Sequence, residues 1–395
     1  MTRNSLEPTR SRFGASLGFA ALLCAVLAAR GEEHALAALV ALVGLLAVGL
    51  AVQTRVPRIS GMLLALAVLD VAVVVPELGL RVLDFRFVSG VRFGYPTPAD
   101  FREFAPDADL FWKLPADTPG VNSLGFIGPE PRRPKPAGTF RALFFGDSCL
   151  QQGAPEGVPE LTAVLANSGR PPDDPRFESL NLAMSGYSSL QGARLAERVG
   201  ADLDPDLVLV DYGWNDHWRA YGAEDRDKTV DVCRERWYRG SRLLQGLRWL
   251  AVRAGISGDA PPLDRNRVPL ERYRENLATF SRLFAARGVP VVFVTAPSSH
   301  AARGVPDYLV RRGFAPDAAT VLREHAQYND VARAAAGTPG CYLLDLAAEF
   351  EAGEDPSVVF VTDGIHFNEL GRRAAAGRIA AFLARAGLDG RGQVR

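Results

Sequence analysis

The stretch FRALFFGDSCLQQG, residues 140–153, decides how the rest of the chain is read. Residues 142–145 are continuously apolar, which fits a strand buried on both faces rather than one half-exposed to water. The run stops at Gly146-Asp147-Ser148, a tight turn that presents a hydroxyl where the strand ends. Four more short apolar runs follow, at residues 180–184, 207–210, 291–294 and 342–346, with longer helical patterns between them. In one of these, Leu270, Tyr273, Leu277, Phe280 and Phe284 recur every three or four residues and mark one face of a helix. Apolar strands alternating with amphipathic helices predict an α/β fold with a parallel sheet covered on both faces. Ligands in such folds bind beyond the carboxyl ends of the strands, so Ser148 sits where chemistry is expected.

Composition narrows the function classes. The 395-residue chain is 48% hydrophobic and 23% charged with zero formal net charge, which gives no support for a nucleic-acid partner. Its basic charge is nearly all arginine, with Lys113, Lys135 and Lys228 the only lysines, and we attach no function to this bias. Cys24, Cys149, Cys233 and Cys341 lack the CxxC or Cys/His spacing of a zinc site, so no metal site is expected; the reading includes no cofactor. In an oxidising compartment Cys233 and Cys341 are the pair available for a disulfide.

The first 80 residues are a different material. Residues 13–29, 35–52 and 61–76 are almost purely aliphatic. A bilayer span needs about 20 such residues, with a lower limit near 17. The first two segments meet that limit, whereas the third carries Asp70 and ends at Pro76-Glu77. A cleaved signal peptide is the weaker alternative, because a second apolar stretch follows at once. Arg3, Arg10 and Arg12 precede the first segment and Arg55 and Arg58 follow the second, so these flanks are expected to be cytoplasmic. Three spans would then place the remainder outside the cytoplasm, and two would leave it inside. The reading is a membrane anchor at residues 1–80, an irregular connecting region and linker at 81–139, and a catalytic domain at 140–390. Phe104, Phe111 and Trp112 imply that part of the connecting region packs on something.

A serine hydroxyl needs an adjacent base, itself oriented by a third group. Five histidines are available. His34 lies in the apolar region, His325 sits in a helical pattern and reads as a surface residue, and His300 follows the fourth strand on a loop. His217 follows GWND at the end of the third strand. His366 lies in VTDGIHFNELGRR, ahead of a helix for which Asn368 is the expected N-cap, and Asp363 stands three residues upstream in the same turn. His366 is therefore the expected base with Asp363 as its orienter, and His217 is the runner-up. Oxyanion donors, each worth about 3–4 kcal/mol in mutational tests, are expected from the Ser148 N–H, the Gly186 N–H and the Asn215 side chain. Taken singly, Gly146 and Gly186 are explained as turn glycines and Asn215-Asp216 as a turn or cap. Jointly these explanations require several coincidences.

With those residues in hand, the chain resembles the SGNH hydrolases, also called the GDSL family. Ser148 in Gly-Asp-Ser, Gly186, Asn215 in Gly-x-Asn-Asp and His366 in Asp-x-x-His occur in the family's order over residues 140–388. Cys149 departs from the leucine that many members carry after the serine, at a position that varies in the family. The resemblance implies a flavodoxin-like three-layer α/β/α sandwich and ester hydrolysis or acyl transfer through an acyl-serine.

An insertion at residues 217–268 holds Trp218, Tyr221, Trp237, Tyr238 and Trp249, together with a basic amphipathic stretch, RGSRLLQGLRWLAVRAG. That helix is expected to pack on the domain, with a membrane surface or an active-site cap as the other placements. The expected activity is that of a membrane-anchored esterase acting on an acylated carbohydrate of the envelope or a small ester, with acetyl the favoured acyl group. An acyltransferase to a surface glycan and a non-catalytic binding protein are the alternatives. The intact Ser148, Asp363 and His366 argue against the last.

Overall fold

The computed structural model describes residues 72–73, 75–83, 85, 104–221, 223–228, 241–254, 262–285, 287–353 and 355–392. The chain divides into two compact units, one formed by Met1–Ser89 with Glu235–Gly258, the other by Gly90–Arg234 with Asp259–Arg395.

The second unit carries the strands found among the described residues: β1 (Ala105–Asp107), β2 (Phe111–Lys113), β3 (Thr139–Gly146), β4 (Arg176–Asn181), β5 (Leu207–Asp211), β6 (Arg219–Tyr221), β7 (Pro262–Asn266), β8 (Val291–Val294) and β9 (Cys341–Leu344). Strands β1 and β2 form an antiparallel hairpin, and β6 pairs antiparallel with β7. The other five make one parallel sheet in the order β4-β3-β5-β8-β9. Counted along the chain this is the order 2-1-3-4-5 of the flavodoxin-like doubly wound sheet. Four of these strands coincide with apolar runs of the sequence, whereas the run at 180–184 meets β4 only at Leu180 and Asn181 and continues past its end. The order reverses at β3, so the crevice between the ends of β3 and β5 is the topological switch point, and Ser148 follows the first of these strands.

Helices α1 (Ser148–Gln151), α2 (Val158–Asn167), α3 (Ser189–Val199), α4 (Arg242–Arg253), α5 (Leu270–Phe280), α6 (Ala318–Ala335) and α7 (Glu369–Arg385) follow in chain order. The pleat of each strand sends successive side chains to opposite faces. Leu143, Phe145, Val208, Val210 and Phe293 accordingly share one core with Leu195 of α3, Leu277 and Phe280 of α5, and Val331 of α6. Ala142, Phe144, Leu207, Leu209, Val292 and Val294 share the other with Val158 of α2 and Ala375, Ile379 and Leu383 of α7. Full burial of one such large side chain stabilises by about 1.5–3 kcal/mol, so both faces of the sheet are driven to be covered. The periodic face read from Leu270 runs through α5 into a π-helical turn at Ser281–Ala285.

The region ahead of β3 has a definite partner. Leu110, Phe111, Trp112, Leu114 and Phe126 belong to the core that holds Phe145 and Tyr187.

In the first unit, residues 75–82 are helical and meet α4, the amphipathic stretch of the insertion. The Glu77 carboxylate accepts from Arg242 N (2.9 Å), Leu243 N (2.7 Å) and Ser241 Oγ (2.8 Å), which satisfies donors at the start of α4 that have no intrahelical partner. Burial works to raise the Glu77 pKa, but these hydrogen bonds and one from Arg81 hold it below the ordinary value. The Phe85 and Trp249 rings meet edge-on at 6.1 Å. These contacts join α4 to residues 77–85 within the first unit, and the expected packing on the catalytic domain is not what they describe. The apolar segments at residues 13–29, 35–52 and 61–76 lie outside the described residues except for residues 72, 73, 75 and 76. Among the described residues no helix is long and apolar enough to cross a membrane.

Candidate active site

Strand β3 delivers the serine and α1 holds it. Asp147 is the N-cap of α1, its Oδ1 accepting from Cys149 N at 2.9 Å, which puts Ser148 at the first helical position. Gly146 is required for close approach, since a Cβ there would stand 2.7 Å from Leu150 Cδ1 and 3.0 Å from Asp211 O on the neighbouring strand.

The loop before α7 carries His366. Asp363 Oδ1 accepts from the backbone N–H of Ile365 (2.8 Å) and His366 (2.9 Å), so the carboxylate folds its own loop. That leaves Oδ2 aimed at His366 Nδ1, 2.6 Å away. An ionised carboxylate only accepts, so Nδ1 carries the proton and Nε2 is the acceptor. Ser148 Oγ lies 2.7 Å from Nε2 and donates to it. Asn368 caps α7 through Gly371 N, as the sequence implies.

Electrostatics favour this arrangement. Burial pushes the His366 pKa down, but the hydrogen bond and charge of Asp363, with a smaller effect from Asp147, outweigh it and hold the imidazole above its ordinary value. Asp363 is pushed up by burial and more strongly down by His366 and the two backbone donors, ending low. The Cys149 thiol is pushed well up by burial and by Asp147 and Asp211, so it is inert next to the serine.

Asn215 lies beyond β5, where its Nδ2 donates to Asp147 Oδ2 at 3.1 Å. An amide nitrogen has two hydrogens, so one remains for another acceptor. Gly186 is the third residue of a turn closed by Tyr187 N donating to Met184 O at 3.0 Å, and its φ of +80° is a conformation glycine adopts without strain. Its N–H has no acceptor among the described residues, while its carbonyl accepts from Arg267 Nη1 at 3.0 Å.

The remaining histidines are placed differently from the serine. His217 is buried beside Trp214 and Trp218, its pKa driven well below the ordinary value by burial and neighbouring His325. His300 Nε2 is 2.7 Å from the Asp363 carbonyl, so it supports the loop that carries His366. The surface placement expected of His325 needs correction: its ring stacks on Trp214 at 3.9 Å and reaches Ala296 O at 2.9 Å, with its pKa lowered to about 3 by burial. His34 lies outside the described residues, as do Trp237, Tyr238 and Cys233. Cys341 is a free thiol 3.3 Å from Ser281 Oγ.

Sequence reasoning missed Gln151, Asp225 and Arg267. Gln151 Oε1 accepts from Ser185 N (2.7 Å) and Ser185 Oγ (2.6 Å), joining α1 to the Gly186 turn. Arg267 and Asp225 form a fully buried ion pair at 3.0 Å behind that turn. Neither residue lies in a recognisable motif. Among the described residues there is no cluster of His, Cys, Asp or Glu suited to a metal ion.

No curated protein matches the chain. Among solved structures it is similar to a lipase/acylhydrolase from Enterococcus faecalis (15% identity, 63% of this chain and 97% of that one, TM-score 0.42). It is also similar to an α/β hydrolase from the metagenome of Lake Arreo, Spain (19%, 63% and 95%, 0.40), and to an acetyl xylan esterase (17%, 62% and 100%, 0.37). The model of the GDSL-like lipase/acylhydrolase family matches residues 144–374, from the middle of β3 into α7. With that match spanning the serine, the glycine turn, Asn215 and the Asp363–His366 loop, the chain belongs to the GDSL-like lipase/acylhydrolase family, an ester-hydrolysing class of enzymes.

Proposed function

We propose that the protein is a membrane-anchored serine esterase that cleaves carboxylic esters, with O-acetyl groups on an envelope carbohydrate or a small acetyl ester as its substrates. The observation that carries the reading is the unbroken chain from Asp363 Oδ2 through His366 to Ser148 Oγ, at 2.6 and 2.7 Å. In the proposed mechanism Ser148 Oγ attacks the ester carbonyl carbon while its proton passes to His366 Nε2. The imidazolium that forms is stabilised by Asp363. Negative charge gathers on the former carbonyl oxygen, which Ser148 N–H, Gly186 N–H and the free hydrogen of Asn215 Nδ2 receive. His366 then protonates the leaving alcohol, whose departure leaves an acyl-Ser148. Water, deprotonated by the same imidazole, releases the acid and restores the hydroxyl.

The test is hydrolysis of p-nitrophenyl acetate by the wild type, Ser148→Ala, His366→Ala and the double variant. Each single change is expected to remove nearly all turnover and the double to be little worse, because the two side chains act as one unit. Substantial turnover without Ser148 would overturn the reading. The apolar segments and the arginine asymmetry support an extracytoplasmic catalytic domain. A C-terminal alkaline phosphatase fusion should be active and a cytoplasm-dependent fluorescent fusion dark; the reverse pattern refutes that topology.

A further inference from the structure

The hairpin β1–β2 lies outside the residues matched by the family model, yet it reaches the turn that carries Gly186. Trp112, fully buried at the centre of β2, donates from Nε1 to the Ser185 carbonyl at 3.1 Å. Its own carbonyl accepts from Tyr187 Oη at 2.6 Å, and the two rings meet edge-on at 5.6 Å. One residue earlier but one, the Leu110 carbonyl accepts from Gln191 Nε2 at 2.7 Å. Phe111 takes a φ of +67°, a conformation a bulky residue holds only when its surroundings over-determine it. The second strand of the hairpin is therefore fixed, and its Trp112 holds the residues on both sides of Gly186.

The peptide that Trp112 grips is the one that matters. Ser185 C=O and Gly186 N–H belong to the same planar, trans unit and point in opposite directions. A positive φ at the third residue makes the Met184–Tyr187 turn type II. Its type I alternative differs chiefly by a flip of this central peptide, and a glycine at the third position permits both. A flip would turn the Gly186 N–H away and offer a carbonyl oxygen in its place. We propose that Trp112 is a positioning residue for catalysis: by holding the Ser185 carbonyl, its indole N–H locks the Gly186 N–H in the direction in which it receives the oxyanion. Arg267 completes the lock from the next peptide through the Gly186 carbonyl. This inference rests on the esterase reading above, and on Gly186 N–H as a donor within it.

The test compares wild type, Trp112→Phe and Tyr187→Phe in kcat and KM for p-nitrophenyl acetate and in affinity for a small alkylboronic acid, which forms a tetrahedral adduct on an activated serine. Trp112→Phe keeps an aromatic ring and loses the N–H; Tyr187→Phe keeps the ring and releases the hairpin carbonyl. Trp112→Phe should lower kcat roughly 10-fold, a fraction of the 100- to 1000-fold cost of losing a donor outright, with KM within twofold. Boronate affinity should fall by the same factor as kcat, because both report the tetrahedral state. Tyr187→Phe should move both in the same direction by a smaller factor, and it carries the test if Trp112→Phe does not fold. A kcat within twofold of wild type in the folded variants overturns the inference, and so does a loss of kcat with boronate affinity unchanged. A wild type inert to both the ester and the boronate would overturn the esterase reading, and this inference with it.

Discussion

Replacing Asp363 by asparagine tests the proposed role of the loop that holds His366, and the structure fixes the sign of the effect. Asp363 Oδ1 is held by two backbone donors, Ile365 N and His366 N. An asparagine keeps those bonds only by placing its carbonyl oxygen there, which puts its NH2 group opposite His366 Nδ1. Two donors cannot face each other, so the imidazole moves its proton to Nε2. The Nε2–H then meets Ser148 Oγ at the 2.7 Å contact and cannot accept the serine proton. The corresponding change in a Ser-His-Asp protease costs about 10⁴ in kcat, or about 5.5 kcal/mol, and a loss of that order is expected here. A second effect follows from charge. Burial lowers the His366 pKa, and Asp363 more than reverses this. Without the carboxylate charge burial prevails, so the pKa falls and the imidazole stays unprotonated to lower pH. The acid limb of the residual activity should therefore move to lower pH, whereas in the wild type its midpoint lies above about 6.5, the ordinary histidine value. The assay is kcat for p-nitrophenyl acetate against pH, corrected for spontaneous hydrolysis. A loss of less than about tenfold together with an unmoved or raised acid limb would refute the assignment of Asp363 as the group that orients and charges His366.

Two other perturbations address different parts of the site. Asn215→Ala should lower kcat by roughly 100- to 1000-fold with little change in KM, because the donor matters most when the oxyanion forms; an effect confined to KM would make Asn215 a substrate-binding group instead. Arg267→Met should reduce stability by about 3–5 kcal/mol in urea unfolding, because it removes one partner of a fully buried ion pair; a loss under about 1 kcal/mol would mean that this pair does little to hold the fold.

The parts of this structure that were legible in the sequence are those written in local pattern. The runs at 142–145, 207–210 and 291–294 became the three central strands because a strand buried on both faces cannot contain much else; the edge strands β4 and β9 are less buried, and the run at 180–184 meets β4 only at its last two residues. Asp363 and His366 were readable as a pair because the carboxylate and the imidazole share one turn, and the turn is closed by bonds within three residues. Long-range contacts left no such trace. Trp112 and Ser185 are 73 positions apart, and nothing in either segment specifies that an indole N–H meets that carbonyl. The Asp225–Arg267 pair spans 42 positions and an insertion of no recognisable motif. His325 was misplaced for a related reason: its neighbours on α6 include Glu324 and Gln327, which suggest a solvated face, whereas Trp214 supplies a flat partner from another element. The contact of α4 with Glu77 likewise joins segments 165 positions apart.

The central claim is that Ser148 is an activated nucleophile. Incubation with a fluorophosphonate, followed by proteolysis and mass mapping, measures this without any assumption about substrate. A single phosphonylated site is expected at Ser148, absent in Ser148→Ala and strongly slowed in His366→Ala, with the rate falling below the pKa of His366. An unmodified Ser148 in folded protein that still hydrolyses acetyl esters, or a label on another residue that survives Ser148→Ala, would contradict it.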